Sequence, residues 1–362
     1  MTAGRSTVAA VSVVGSGLVT AVGFNSAATC AAMRAGIRNV SSSNFWHAQS
    51  GTFIGVGRVP LPHWWEAPEV LGDLVTPAIL ECLDAASSVP PSEIPVLLGI
   101  PGSDRLGRAA GLDPHILDEV ADRLGFELHP SSRVIPGGHV SGCLGIAEAW
   151  RLIDKEGVRR CVVAAVDTLV RSETVEAYLK RGRILTETNS DGFSPGEAGA
   201  AVLVAPAGEQ SGLEILGLGF AREPATINSD DPLRGEGLTD AIRRALAQAG
   251  LEMKDIGYRL ADMNGERYKF KEASFALGRL LKERVPSLDL WHPVEFLGDI
   301  GAAIGPSVIA LALHAGQKGY APGRTVLCHF GSDDGERAAL VARFVPDHDE
   351  HQALPSNSKE DG

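Results

Sequence analysis

The sequence predicts an α/β protein made of two similar halves. Apolar segments typical of β-strands alternate along the chain with segments typical of helices, as in proteins built from βαβ units. The segment LEILGLG at Leu213–Gly219 resembles the opening segment VSVVGSG at Val11–Gly17, since each is an apolar strand that ends in glycines. Alternation and repeat together indicate a duplicated architecture with buried sheets. We expect the halves to span residues 1–206 and 207–346.

The predicted strands are short runs rich in Val, Ile, Leu and Ala. The first, Val8–Val14, should end where Gly15-Ser16-Gly17 begins, because glycine-rich stretches interrupt strands. The other predicted strands are Pro95–Ile100, Arg133–Ile135, Arg160–Ala165, Ala198–Ala205, Leu213–Gly219, Val326–Phe330 and Ala339–Phe344.

The predicted helices are marked by residues that favour helix ends. Asn25 or Ser26 can cap the first helix, Asn25–Ala35, and Thr76 can cap a helix at Pro77–Ser88 whose first turn accepts the proline. The other predicted helices are His115–Leu124, Ser141–Glu156, Gly237–Gly250, Glu272–Lys282 and Ile300–Ala315. Residues 37–70 are expected to form an irregular surface excursion, and the polar tail 347–362 is predicted to be disordered.

Composition and charge restrict the possible functions. The chain has 362 residues and a formal net charge of −12, which argues against nonspecific binding to nucleic acid or to an anionic membrane surface. No apolar run approaches the ~20 residues of a transmembrane helix. The basic patch Arg181–Arg183 can still dock an acidic partner. The five cysteines show neither disulfide-framework nor metal-ligand spacing: Cys30, Cys82, Cys143, Cys161 and Cys328. We expect a cytoplasmic protein without a metal or cofactor.

Several glycine-rich motifs, in order over nearly the whole chain, resemble the β-ketoacyl synthase family. The most specific is SDGFSPGEAGAAVLV, which is similar to a hairpin of that family. The motifs are Val11–Gly23, Gly138–Ile153, Ser190–Val204, Gly298–Gly305 and Cys328–Gly335. The resemblance implies a thiolase-like five-layered α/β/α/β/α fold and a dimer in which Arg133–Ile135 lies at the contact. It also implies a condensing reaction that uses a cysteine nucleophile and two histidines.

The positions that correspond to this chemistry carry other residues. Ser141, Gly142, Ile146 and Arg151 match the offsets that follow the family's cysteine, and they place His139 at the cysteine position. Asn264 falls where the first histidine is expected. The second histidine position is Gly298, or Asp299 if the alignment slips by one residue. The family's lysine and its pocket-lining phenylalanine map to Pro293 and Ser332. The resemblance therefore implies a fold that persists without its condensing chemistry.

Two alternatives would retain some acyl chemistry. Cys143 lies one helical turn after His139 and is either a displaced nucleophile or a small buried packing residue. Ser332, His139 and Asp333 are either a hydrolase triad or polar residues that fill a pocket and satisfy one another. The residues expected to line the pocket are His139, Ser141, Glu266, Arg267, Tyr268, His329, Phe330 and Ser332.

The excursion at 37–70 contains several aromatic residues. They form either a partner-binding patch or a cover for the sheet: Phe45, Trp46, Trp64 and Trp65, with Glu66 beside them.

Taken together, the replaced catalytic positions favour a pseudoenzyme that acts as a scaffold, adaptor or binding partner. The partner would be a second copy, a synthase-like paralogue or an acyl-carrier protein. The alternative is a transferase or hydrolase of acyl thioesters.

Overall fold

A computed structural model describes residues 10–62, 69–86 and 88–346. The strands are β1 Val11–Thr20, β2 Ser41–His47, β3 Thr52–Val56, β4 Val96–Gly99, β5 Arg133–Ile135, β6 Cys161–Thr168, β7 Glu197–Pro206, β8 Gly212–Arg222, β9 Tyr258–Ala261, β10 Asp289–Trp291, β11 Thr325–Gly331 and β12 Glu336–Val345. The helices are α1 Ser26–Arg34, α2 Glu69–Ala85, α3 Leu112–Leu124, α4 Ser141–Glu156, α5 Ser172–Lys180, α6 Glu236–Ala249, α7 Arg267–Leu280, α8 Val294–Leu297 and α9 Ile304–Gln317.

The strands form two groups of five that meet at β1 and β8. The order β10-β9-β11-β12-β8-β1-β7-β6-β4-β5 runs from one group into the other, and β1 and β8 share the register Val11↔Ile215 to Val13↔Leu213. Helices α2 and α3 cover one outer face, α6 and α7 cover the other, and α4 and α9 lie between the groups. The predicted five-layered arrangement is confirmed. The division into domains at residues 206 and 207 stays a prediction.

The central layer depends on glycine at the crossing of α4 and α9. A Cβ atom on Gly142 would lie 2.9 Å from the Cα atom of Gly305, and a Cβ atom on Gly305 would lie 2.9 Å from the Cα atom of Gly142. Side chains at these two positions would push the helices apart, because protein interiors have little free space. Helix α4 has the predicted bounds and brings the segment that precedes it to the centre of the molecule.

Several predicted element bounds were wrong; α7, for example, begins at Arg267 rather than Glu272, and for β1 and α2 packing between elements outweighs the local signal. Strand β1 continues through its glycines because Gly17 allows close packing of α2: a Cβ there would lie 2.0 Å from the carbonyl oxygen of Ala78. Helix α2 begins at Glu69 and contains Pro77 in its interior. Thr76 does not cap it but lies buried inside it. Its largely buried apolar face outweighs the cost of the proline.

Residues 37–70 are not wholly irregular, since β2 and β3 pair as an antiparallel hairpin. Exposed Trp46 and Phe53 make an edge-to-face contact on this hairpin, with ring centroids 5.1 Å apart. Trp64, Trp65, Glu66 and the tail 347–362 lie outside the described residues. In the described part of the chain, no helix is both long and apolar enough to cross a membrane.

Candidate functional site

Three loops bring positions 139, 264 and 299 together at the end of the central layer. His139 lies in a short 3₁₀ turn, Gly138–Val140, between β5 and α4, and Gly138 has a positive φ of 54° that favours glycine. Asn264 follows β9, and Asp299 lies between α8 and α9. The fold thus places at one point the three positions that the sequence alignment selected, with Asp299 rather than Gly298 supplying the third side chain.

Asp299 is the centre of this cluster. Its Oδ1 atom lies 3.1 Å from Nε2 of His139 and accepts the backbone N–H of Gly301 at 3.0 Å. Its Oδ2 atom accepts a hydrogen bond from the Asn264 amide at 2.7 Å. The Asp299 side chain is 4% exposed and that of His139 is 16% exposed. A buried carboxylate with this many donors is stabilised in its ionised form.

The two groups favour each other's charged forms. Burial and the charge of Lys269 act to lower the pKa of His139, but the charge and hydrogen bond of Asp299, helped by Asp262, outweigh them and raise it. Burial acts to raise the pKa of Asp299, but the charge and hydrogen bond of His139, helped by the charge of Lys269 and the hydrogen bond of Asn264, outweigh it and hold that pKa well below its usual range. We infer an ion pair in which the imidazole carries a proton on the nitrogen facing Asp299.

A hydrogen-bonded chain continues from Asn264 to the turn between β11 and β12. The Asn264 amide also donates to Glu266 at 3.1 Å. Arg183 donates to both carboxylate oxygens of Glu266, at 2.7 and 2.8 Å, and to both oxygens of Asp333, at 2.6 and 3.1 Å. The Tyr178 hydroxyl completes the chain with a bond to Asp333 at 3.3 Å. Sequence reasoning missed Arg183 as part of the site, although the residue lies in the basic patch Arg181–Arg183.

Further buried ion pairs surround the cluster. Lys269 bonds Asp262 at 2.7 Å, Arg105 bonds Asp167 at 2.8 Å, and Arg337 bonds Glu272 at 2.8 Å. Little in the sequence indicates these pairs, because their members are up to 65 residues apart. The available hint was charge in otherwise apolar elements, such as Asp167 at the end of the apolar strand β6.

A polar cavity of about 400 Å³ lies beside His139. Its walls include charged side chains of both signs together with hydroxyl and amide groups. The lining side chains are Asp104, Arg105, Leu106, His139, Tyr178, Arg181, Arg222, Thr226, Asn228, Ser332, Asp333 and Asp334. A second, inner cavity of about 10 Å³ is lined by Tyr268, His329, Phe330 and other residues. That volume suits about one water molecule.

The remaining candidate residues occupy different environments. Cys143 is fully buried in the core, and burial raises the pKa of its thiol well above the usual value. Ser141 is buried behind His139, with no hydrogen-bond partner for its hydroxyl. Arg267 does not line the pocket as expected: its side chain is 83% exposed and pairs with Asp191 at 3.0 Å. The side chain is exposed because Arg267 is the first residue of α7, which begins at a surface loop.

The bonds of Ser332, His139 and Asp333 differ from those of a hydrolase triad. The Ser332 hydroxyl donates to the carbonyl oxygen of Gly137 at 3.0 Å. Asp333 is bound by Arg183 and Tyr178, and His139 is bound by Asp299. A triad needs the histidine to bond both the nucleophile and the acid. Among the described residues, no group of three or more His, Cys, Asp or Glu side chains is arranged to hold a metal ion.

Comparison with solved structures establishes the fold. The ishigamide ketosynthase/chain length factor is 23% identical, with a TM-score of 0.69 over 93% of this chain and 99% of that chain. A structure of ketosynthase ApeO with its chain length factor ApeC from Xenorhabdus doucetiae is 15% identical, with a TM-score of 0.72 over 95% and 100%. AntDE:AntF, a type II PKS acyl-carrier protein with its ketosynthase, is 16% identical, with a TM-score of 0.76 over 93% and 100%.

The chain has the ketosynthase fold. Protein-family models and curated proteins gave no match to the sequence. On this ketosynthase fold, the site holds a hydrogen-bonded pair of His139 and Asp299 where the resemblance places a cysteine and a histidine. An imidazole that is hydrogen-bonded to a carboxylate can accept or donate a proton. It has no sulfur atom with which to hold an acyl group as a thioester.

The ion pair predicts a specific dependence of stability on pH. Because folding raises the pKa of His139, its contribution to the free energy of unfolding is complete below about pH 6.5 and is lost as pH rises through the raised pKa. Because folding lowers the pKa of Asp299, its contribution is complete above about pH 4 and is lost in more acidic solution. The stability difference between wild type and His139→Gln, measured by urea unfolding, should therefore decrease above pH 6.5, by up to about 1.4 kcal/mol per pH unit.

His329→Gln is the control, because burial lowers the pKa of His329 to about 4. Its stability difference from wild type should change in the opposite direction, with wild type gaining between about pH 4 and 6.5. A difference for His139→Gln that stays constant from pH 6 to 9 would contradict the ion pair.

Proposed function

We propose that the protein is a non-condensing, ketosynthase-like partner subunit, a pseudoenzyme that assembles with an active synthase-type chain. The observation that carries this proposal is the side-chain set at the convergent site: His139 and Asn264 both bond the carboxylate of Asp299. A condensing site needs an acyl-accepting thiolate and donors that stabilise an enolate oxygen. The carboxylate of Asp299 disfavours both, because it repels a thiolate and a developing oxyanion alike.

Two further observations support a partner role. Two of the similar structures contain a ketosynthase together with a chain length factor, so this fold occurs in paired assemblies. Among the strands of the described residues, β5 lies at one end of the order and pairs with β4 alone. An edge strand with free backbone groups can pair with a strand of another chain. Next to it, the ion pairs of Arg133 and Arg151 with Glu148 provide charges that can select a partner.

Intact-mass spectrometry tests the loss of condensing chemistry. The protein is incubated with an acyl-CoA, an acyl-carrier protein and a malonyl thioester, and an active ketosynthase is treated in parallel. We expect no stable acyl adduct and no release of carbon dioxide, since the buried Cys143 thiol is protonated and His139 forms no lasting acyl bond. An adduct that maps to Cys143 would overturn the proposal and identify a relocated nucleophile.

Charge reversal at the β5 edge tests the assembly. Arg133→Glu places a second carboxylate beside that of Glu148. The substitution should weaken association with a ketosynthase from the same organism at least tenfold, as measured by analytical ultracentrifugation. Arg243→Glu is the matched control, because Arg243 forms a comparable exposed pair with Asp240 on the outer helix α6. Equal effects of the two substitutions, or association unchanged by Arg133→Glu, would exclude β5 as the contact.

A further inference from the structure

The turn from Ser332 to Gly335, which joins β11 to β12, is fixed from several sides. The Ser332 hydroxyl donates to Gly137 in the loop before His139, and the Ser332 carbonyl accepts from Arg337 at 2.8 Å. Just before the turn, the backbone N–H of Gly331 donates to Asp262 at 3.0 Å. The turn is therefore attached to β12, to the loop after β9 and to the segment that carries His139.

Arg183 provides the strongest of these attachments. Its guanidinium binds Glu266 and Asp333 through paired hydrogen bonds, and so joins the loop before α7 to the turn. The side chains of Arg183 and Glu266 are 9% and 4% exposed, that of Asp333 is 30% exposed, and the rings of Tyr178 and Phe193 lie against the guanidinium. Paired bonds between arginine and carboxylates fix orientation as well as distance, and the burial of Arg183 and Glu266 shields their pair from solvent screening.

The turn contributes to the walls of both cavities of the site. Ser332 and Asp333 line both the outer polar cavity of about 400 Å³ and the inner cavity of about 10 Å³. The inner cavity is bounded by aromatic and apolar side chains such as Phe330 and Met263 together with buried ion pairs. A ligand that reaches His139 from the outer cavity meets the turn before it can extend further inward.

We propose that Arg183 is a specificity-determining residue that confines ligands to the outer cavity, so that the site takes short polar ligands and excludes extended apolar chains. The outer walls offer Arg181, Arg222 and Asp104 to a polar group. The side chains that line the outer cavity are charged or polar apart from Leu106, so an extended hydrocarbon that stays there covers few apolar side chains, whose burial is the main source of its affinity. This inference goes beyond the partner role.

A neutral replacement of the Arg183 cluster tests the proposal. The triple variant Arg183→Met/Glu266→Gln/Asp333→Asn removes the attachment without leaving a buried unpaired charge. Binding of the acetyl and decanoyl thioesters of N-acetylcysteamine is measured by calorimetry, and amide hydrogen exchange is measured at residues 331–335. Exchange at the turn should accelerate at least tenfold. Affinity for the decanoyl thioester should rise at least tenfold, while affinity for the acetyl thioester changes less than threefold.

The control is Arg160→Met/Glu209→Gln, which removes another arginine–carboxylate pair, at the start of β6 and away from the cavity. It should change neither exchange at the turn nor the preference between thioesters. If the triple variant does not fold, Arg183→Lys keeps the charge but loses the paired bonds, and should show the same changes to a smaller degree. Wild type that binds the decanoyl thioester tenfold more tightly than the acetyl thioester would overturn the proposal. The proposal would also be overturned if amide exchange at the turn accelerates in the triple variant while its affinity for the decanoyl thioester does not rise.

Discussion

The carboxylate of Asp299 is the group on which the rest of the site depends. A buried charge is costly unless other charges and hydrogen bonds compensate it, and Asp299 obtains this compensation from His139, Asn264 and Gly301. These partners come from three separate loops. Asp299 therefore holds together the segments that close the end of the central layer, and it fixes the imidazole in an orientation that leaves its other edge toward the cavity.

The surrounding charges explain why the pKa of His139 is raised. Five carboxylates and three arginine or lysine side chains lie in this region, so a protonated His139 reduces an excess of negative charge. The carboxylates are those of Asp167, Asp262, Glu266, Asp299 and Asp333, and the cations are Arg105, Arg183 and Lys269. Breaking one of these buried pairs would cost about 3–5 kcal/mol. A network of this kind gives a rigid polar site, whereas an acyl-binding site needs apolar walls.

The sequence predicted the fold well because the fold follows from local patterns. Helix α4 was predicted with its observed bounds, since it ends at Gly157 in the left-handed conformation that glycine favours. The start of helix α2 was predicted eight residues too late because Pro77 normally starts a helix, and the packing that overrides this preference is not local. The site was predicted at the level of positions 139 and 264, while the choice between Gly298 and Asp299 depended on a register that only the folded chain resolves. The bond between His139 and Asp299 joins residues 160 apart, so no spacing rule reveals it.

The most direct test of the account is the charge state of His139, observed by NMR on protein labelled with ¹⁵N at histidine. The ion pair predicts that both ring nitrogens of His139 remain protonated at pH 6.5, that the ring titrates above that pH, and that Asp299→Asn lowers its pKa. A His139 ring that is neutral at pH 6.5, with a titration unchanged by Asp299→Asn, would contradict the view that this pair has replaced the condensing machinery.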